Sequence, residues 1–185
     1  MLIGADGSGT AGNWDETELR LVLESMAGVV DGAEAVDELS HALQCATHAL
    51  AAAAPPSLVA AALFHDVGRA PGVQRAYPGL PHEEAGARWV AQRFGERVPW
   101  LVRAHVPAKI YLVETDEAYF HKLSSESTSS LGRQRGKLGD LGQLVTHPWW
   151  PDALQLRRWD DAAKVVGAPT AGLDEVLNYL RGAFS

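Results

Sequence analysis

The rest of this chain is organised around the stretch from Leu58 to Arg69, LVAAALFHDVGR. Every position from Leu58 to Phe64 is apolar, which is typical of a helix that packs closely against its neighbours. His65 and Asp66 follow side by side, and burying an imidazole and a carboxylate is costly unless something pairs with them. A divalent metal ion would do so, since both groups are good ligands. The alternative is a helix C-cap, with His65 near the negative end of the dipole and Gly68 at the stop.

The composition limits the fold class and the partners. Hydrophobic residues make up 46% and charged residues 21% of the 185 residues, which are ordinary values for one globular domain. The net charge of −7 argues against a broad nucleic-acid surface. The single cysteine, Cys45, excludes an internal disulfide and a cysteine-rich zinc site. No apolar run approaches the ~20 residues that span a membrane and the N-terminus is no signal peptide, so we expect a cytoplasmic protein without membrane partners.

Apolar residues recur at helical spacing along the chain, and no alternating strand pattern of useful length appears. We predict an all-α fold, a compact HD-type bundle over residues 14–185, after a flexible leader over residues 1–13. Ser57 is the predicted N-cap of the Leu58 helix, and we expect Pro107 to kink or interrupt its helix. Residues 70–81 are predicted to form a loop. Residues 124–142 are predicted to be either mobile or part of a site. The other predicted helices cover 15–30, 35–54, 82–94, 99–114, 115–123, 151–166 and 173–184.

Histidines recur in four successive predicted helices, and a pair of aspartates follows in a late one. A lone histidine on a helix is more often a satisfied core residue than a ligand, but this repetition is hard to explain as core packing. Helical bundles build metal sites by directing ligands inward from facing helices. Six ligands suit two metal ions, with Asp66 able to bridge them. The candidates are His41, His65, Asp66, His82, His105 and the Asp160-Asp161 pair.

Basic residues lie close to two of these candidates. Lys109 comes one turn after His105, and Lys164 one turn after Asp160, with Arg157-Arg158 just before. For each of them a solvated face or an ordinary salt bridge is the alternative. Beside a metal centre, these cations would form an anion pocket.

Several segments resemble a known family. The order of His41, His65-Asp66 and a late aspartate resembles the HD-domain superfamily of metal-dependent phosphohydrolases. The segments LSHALQCATHA, HEEAGARW, HVPAKIYL, LSSESTSSL and LRRWDDAAK are similar to the HD-domain mixed-valence diiron oxygenases of organophosphonate metabolism, which are related to inositol oxygenase. The resemblance covers roughly residues 31–164.

The resemblance implies specific roles for residues. Asp66 would bridge the two irons, and Asp160 is preferred to Asp161 because the related pattern has a substrate-binding lysine four residues later, here Lys164. Asp161 with Arg158 is the alternative. The implied iron ligands, which carry the catalysis, are His41, His65, Asp66, His82, His105 and Asp160. The implied substrate contacts are Glu34, Lys109, Ser127, Arg157 and Lys164.

Two positions depart from the family pattern. The phosphonate oxygenases tend to read Tyr-Gly-Gly-Glu ahead of the first histidine, whereas this chain has residues 31–34 as Asp-Gly-Ala-Glu. The segment HDVGR ends in Arg69, where the family often has histidine. Both changes fall near the substrate and not at the ligands.

The resemblance implies an O2-dependent diiron oxygenase with two Fe ions in the Fe(II)/Fe(III) state. It would hydroxylate a small organophosphonate or a similar anionic substrate, or cleave its C–P bond. An HD-type phosphohydrolase of a small phosphate ester or nucleotide is the alternative, and a non-catalytic module that binds an anionic metabolite is a third. We expect no nucleic-acid partner, and a monomer or a dimer.

Overall fold

The computed structural model describes residues 14–32, 34–121, 123–124, 126–129, 131 and 141–184. All regular structure in these ranges is helical, which confirms the predicted all-α fold. The predicted leader, residues 1–13, lies outside the described residues. That residues 14–185 form a single domain stays a prediction. The helices are α1 Glu16–Glu24, α2 Glu38–Ala51, α3 Pro56–Phe64, α4 Pro71–Ala76, α5 His82–Val90, α6 Arg97–Thr115, α7 Glu117–Phe120, α8 Leu141–Val145, α9 Trp150–Ala162 and α10 Leu173–Phe184.

Helix α3 lies at the centre of the fold. Every residue from Ser57 to Phe64 is buried, as expected for a helix that is apolar on all sides. It contacts α2, α6, α9 and α10, and α6 in turn contacts α5 and α9. The small side chains of Ala60, Ala61 and Ala62 are fully buried there. One packed group of helices therefore surrounds the end of α3, and it consists of α2, α5, α6 and α9.

The beginning of α3 differs from the prediction. The N-cap is Pro55, and Pro56 is the first helical residue, a position that needs no N–H donor. The prediction of Ser57 as N-cap is wrong. Ser57 lies inside the first turn, buried, and its Oγ has no hydrogen-bond partner among the described atoms.

Other element boundaries also differ. The segment 70–81, predicted as a loop, contains α4, and its first residue Pro71 again lies where proline favours a helix. Helix α1 ends well before the predicted residue 30, and the chain turns at Gly28, whose φ is +73°. Helix α6 continues through Pro107 without interruption. Residues 126–129, within the predicted long loop, are helical. Among the described residues, no helix is both long and apolar enough to cross a bilayer.

Candidate metal centre

The six predicted ligands lie together beside the end of α3. They form two groups, and within each group the candidate ligand atoms are all within 4.8 Å of one another. All six side chains are buried except that of His82, which is partly exposed. The first group is His41, His65 and Asp160, and the second is Asp66, His82 and His105.

Each ligand is positioned by a different part of the helical group. His41 lies in the second turn of α2, and His65 caps the end of α3. His82 is the first residue of α5, and His105 lies in the middle of α6. Asp160 is in the last turn of α9. Because these helices pack against one another, their side chains converge although they are far apart in sequence.

Three of the imidazoles are oriented by backbone carbonyl groups. The Nδ1 atom of His41 lies 2.8 Å from the carbonyl oxygen of Ala163, and that of His65 lies 2.9 Å from the oxygen of Ala62. The Nδ1 atom of His105 lies 2.6 Å from a backbone carbonyl as well. A carbonyl oxygen only accepts, so Nδ1 must donate the proton. The neutral rings therefore present a bare Nε2, the atom that binds a metal.

Asp66 lies between the two groups. Its Oδ2 is 3.5 Å from His65 Nε2 and 3.8 Å from His41 Nε2. Its Oδ1 is 3.1 Å from His82 Nε2 and 3.6 Å from His105 Nε2. Oδ1 is buried and makes no hydrogen bond of good geometry with the described residues. One carboxylate oxygen thus faces each group, which is the arrangement that a bridging ligand requires.

The donor set fits two metal ions. The Nε2 atoms of His41 and His65 are 3.0 Å apart, and those of His82 and His105 are 3.2 Å apart. Two ring nitrogens at such distances either share a proton in a hydrogen bond or lie beside a common cation. Nitrogen and carboxylate donors suit iron, and equally manganese or cobalt. The ligand role of these residues stays a prediction, but their geometry agrees with it.

The protonation of the ligands also favours metal binding. Burial lowers the pKa of His65 and that of His105, which keeps both rings neutral. Burial opposes ionisation of Asp66, yet the charge of Arg69 holds its pKa well below the usual value. Burial also opposes a charged His41, but its hydrogen bond to Asp160 raises the pKa of His41 to about 9. A metal ion would displace that proton.

The two neighbouring aspartates of α9 face different partners. Asp160 Oδ1 is 3.3 Å from His41 Nε2, and Arg157 Nη1 donates to its other oxygen at 2.6 Å. Asp161 accepts hydrogen bonds from Tyr119 and Arg157 instead. The geometry therefore favours Asp160 over Asp161 as the metal ligand, and Arg157 over the exposed Arg158 as its basic partner.

All five predicted substrate contacts line one cavity of about 40 Å³ beside the two groups. Lys164 Nζ donates to Ser127 Oγ and to Glu34 Oε1, both at 2.9 Å. Arg157 Nη2 donates to Ser127 Oγ at 3.4 Å. Glu34 is thus bound to Lys164 and to Ser124. The predicted substrate contacts are Glu34, Lys109, Ser127, Arg157 and Lys164.

The two lysines of this cavity have opposite pKa shifts. Burial, with the nearby charge of Arg157, lowers the pKa of Lys109 to about 8. Burial also opposes the charge of Lys164, but Asp160 and Glu34 raise its pKa. The cavity therefore holds one firmly charged lysine and one that loses its proton near neutral to basic pH.

Two residues near the site, Glu38 and Tyr119, were not among the candidates, whereas Arg69 and the segment with Asp31 were expected near the substrate but without a role. Arg69, Asp31 and Glu38 line the same cavity. Glu38 lies one helical turn before His41 on α2, a spacing that could have suggested it. The sequence contains no signal for the pairing of Asp31 with Arg69, or for the contact of Tyr119 with Arg157, because each pair is distant along the chain.

Gly68 fixes how closely the turn after α3 approaches α5. A β-carbon at this position would overlap the backbone carbonyl of His82 and lie 2.9 Å from the amide nitrogen of Gly86. Only glycine allows this approach. The backbone contact therefore sets the position of His82 relative to Asp66.

Comparison with known proteins agrees with the geometry. A family model described as HD domain matches residues 39–133. A "Hydroxymethylphosphonate dioxygenase" of Gimesia maris is 37% identical over 150 residues, which cover 77% of this chain and 75% of that protein. A "[1-hydroxy-2-(trimethylamino)ethyl]phosphonate dioxygenase (glycine-betaine-forming)" of Leisingera caerulea is 31% identical over 157 residues, covering 77% and 80%. The resemblance predicted from the sequence is confirmed, and the chain belongs to the HD-domain phosphonate oxygenases, a family of metal-dependent enzymes.

Proposed function

We propose that this protein oxygenates a small organophosphonate, with two iron ions as cofactor and O2 as cosubstrate. The observation that carries the proposal is the position of Asp66, with one oxygen toward each pair of histidines. The basic cavity lies directly beside it. Two named relatives that act on phosphonates support the same reaction class.

The proposed cofactor sites follow the two groups. One iron would be held by His41, His65 and Asp160, and the other by His82 and His105. Asp66 would bind both irons. Bound iron would supply O2 activation and the oxidation of the carbon next to phosphorus. The protein holds the four imidazoles with Nε2 inward and keeps both aspartates ionised. It therefore provides a preorganised ligand set.

The substrate's phosphonate group would bind in the basic part of the cavity. Arg157 is buried and already oriented by Asp160 and Asp161. Lys164 and Ser127 are hydrogen-bonded to each other and present donors to the same space. Charge-assisted hydrogen bonds of this kind are strong where water is excluded. The phosphonate would thus be held beside Asp160, with its carbon directed toward the metal pair.

The outcome of the reaction depends on the carbon next to phosphorus. If that carbon bears only hydrogen and carbon substituents, hydroxylation is the expected product. If it already bears a hydroxyl group, oxidation leads to cleavage of the C–P bond. Both named relatives act on phosphonates that bear this hydroxyl group. We therefore propose oxidative C–P cleavage of a 1-hydroxyphosphonate as the reaction of this protein.

The proposal is tested with protein reconstituted anaerobically with iron. We expect hydroxymethylphosphonate to cause O2 uptake and stoichiometric phosphate release, and partial oxidation to give the EPR signal of a coupled Fe(II)/Fe(III) pair. Methylphosphonate, which lacks the hydroxyl group, should release no phosphate. The proposal fails if no phosphonate causes O2 uptake and the coupled signal never forms.

The same experiment discriminates the phosphohydrolase alternative. Dinuclear hydrolases can use an identical set of histidines and aspartates, so ligand geometry alone does not exclude one. Release of phosphate from phosphate esters or nucleotides without O2, supported by manganese or cobalt, would identify a hydrolase. The non-catalytic alternative would require the loss of ligands, whereas all six candidates are retained.

A further inference from the structure

An ion pair between Arg69 and Asp31 lies in the wall of the substrate cavity. Arg69 Nη2 is 2.9 Å from Asp31 Oδ2, and Arg69 Nε is 3.5 Å from Glu38 Oε1. Arg69 is mostly buried, and Glu38 is almost completely so. Because three carboxylates, those of Asp31, Glu38 and Asp66, surround one guanidinium, this arginine is neutralised by the protein itself. Because the carboxylates outnumber this cation, this side of the cavity disfavours an anionic group.

This ion pair and the basic residues adjoin different ligands. Arg69 Nε is 3.4 Å from Asp66 Oδ1, the oxygen that faces His82 and His105. Arg157, in contrast, donates to Asp160 in the other group. A phosphonate held by the basic residues would therefore direct its carbon substituent toward the wall formed by Arg69 and Asp31.

The chain segment that carries Asp31 is held firmly in place. The amide of Glu34 donates to the carbonyl oxygen of Asp31 at 3.0 Å, and the Glu34 side chain is bound to Lys164. Gly32 has a φ of +56°, a conformation that favours glycine, and the Glu126 carboxylate packs against it. The Asp31–Arg69 ion pair is therefore a fixed part of the cavity wall.

The space beside the Asp31–Arg69 ion pair is small. The cavity of about 40 Å³ holds about three water molecules. Among the described residues that line it, none is phenylalanine, tyrosine or tryptophan, whereas proteins recognise quaternary ammonium groups with cages of such rings.

We propose that the Asp31–Arg69 ion pair closes the substrate cavity and restricts the enzyme to short 1-hydroxyphosphonates without a bulky substituent. The inference rests on the proposed function and adds its specificity-determining residues. Hydroxymethylphosphonate fits such a cavity. Longer 1-hydroxyalkylphosphonates and the trimethylamino compound do not.

The test measures binding and turnover separately on iron-loaded protein. Anaerobic titration calorimetry gives the dissociation constants of hydroxymethylphosphonate, 1-hydroxypropylphosphonate and [1-hydroxy-2-(trimethylamino)ethyl]phosphonate, and O2 uptake gives turnover. The variants are Asp31→Ala, which removes the partly exposed partner, and Arg69→Ala, which opens the wall. Asp174→Ala, which removes a partner of Arg20 on the surface, is the matched control. Iron content is measured for each, because Arg69 also contacts Asp66.

We expect the unaltered protein to bind the two larger phosphonates at least about tenfold more weakly than hydroxymethylphosphonate. Asp31→Ala and Arg69→Ala should reduce that difference, while Asp174→Ala leaves it unchanged. Equal affinity of the unaltered protein for all three compounds would overturn the inference. An unchanged preference for hydroxymethylphosphonate in Asp31→Ala protein with full iron content would also overturn the inference. A size-dependent affinity without O2 uptake would support this inference while contradicting the proposed function.

Discussion

The two ligand groups use the same imidazole chemistry but have different surroundings. His41, His65 and Asp160 adjoin cations, because Arg157 contacts Asp160 and Lys164 lies just beyond the same helix. The group of Asp66, His82 and His105 adjoins carboxylates. Glu83 is 3.2 Å from His82 Nδ1, and Glu38 and Asp31 surround the arginine next to Asp66.

This difference separates two tasks that one small cavity must combine. Under the proposed function, the cations beside the first group would attract and orient a dianionic head group. The arginine beside the second group, which is outnumbered by carboxylates, would occupy space without attracting an anion. A substrate would therefore bind in one orientation, with its reacting carbon where the two groups meet. Substitutions can test this division between the two groups, beginning with Asp66, which faces both.

Replacing Asp66 by alanine should have the largest effect. Because its two oxygens face different groups, Asp66→Ala should lose both metal ions and all activity. Metal analysis after anaerobic reconstitution, with circular dichroism to verify folding, measures this. A folded variant that kept a full pair of irons would contradict the bridging role.

Removing one ligand from either group should separate the two sites. Asp160→Ala and His105→Ala should each retain the metal of the other group and lose activity by at least about 100-fold. Asp161→Ala is the matched control, because Asp161 faces Arg157 and Tyr119 and not a histidine. It should keep both metals. Loss of metal from Asp161→Ala, with retention in Asp160→Ala, would reverse the choice between the two aspartates.

Arg157→Lys should weaken phosphonate binding by about 10- to 100-fold, since a lysine cannot reproduce the planar set of donors. The expected change is in KM, with metal content unaltered. Arg158→Lys, one position along on the exposed side of α9, should have no effect. Equal effects of the two substitutions would show that Arg157 contributes to phosphonate binding only through its positive charge.

Phosphonate binding should depend on pH through Lys109. Its pKa is lowered to about 8, so the ammonium is present below that pH and is lost as the pH rises through it. We expect affinity to fall several-fold between about pH 7 and 9. Lys109→Arg, which stays charged, should abolish most of this decline in calorimetric titrations. A decline of the same size in that variant would assign the effect to another group.

Tyr119→Phe should have the smallest effect. The hydroxyl accepts a hydrogen bond from Arg157 Nε at 3.0 Å and donates to Asp161, so it orients the arginine without touching the cavity. We expect KM to rise by about two- to fivefold and kcat to stay the same. A lowered kcat with an unchanged KM would contradict this positioning role.

The sequence predicts the helical class and the convergence of the ligands because both depend on local spacing. A histidine in each successive helix must approach its counterparts once the apolar faces pack together. Helix α10 has the predicted bounds, since a clear apolar pattern marks both ends. The start of α3 and the presence of α4 were not predicted, because proline was interpreted as a breaker although it occupies a first helical turn in both.

The surroundings of the ligands could not be predicted in the same way. The choice between Asp160 and Asp161 depends on the rotation of α9 against α2, which no local pattern determines. The contact of Arg69 with Asp31 joins a turn after α3 to a segment before α2. Such contacts depend on how distant segments pack, and they decide which substrate fits. The class of reaction is therefore more predictable from sequence than its specificity.

The close approach at Gly68 has a consequence for the evolution and engineering of this protein. A mutation there alters no ligand and no cavity residue, yet even one added methyl group must move α5 and with it His82. Any library of variants built around this site must therefore keep glycine at position 68. Variants intended to change the substrate can sample residues 31 and 69 freely only while this glycine is kept.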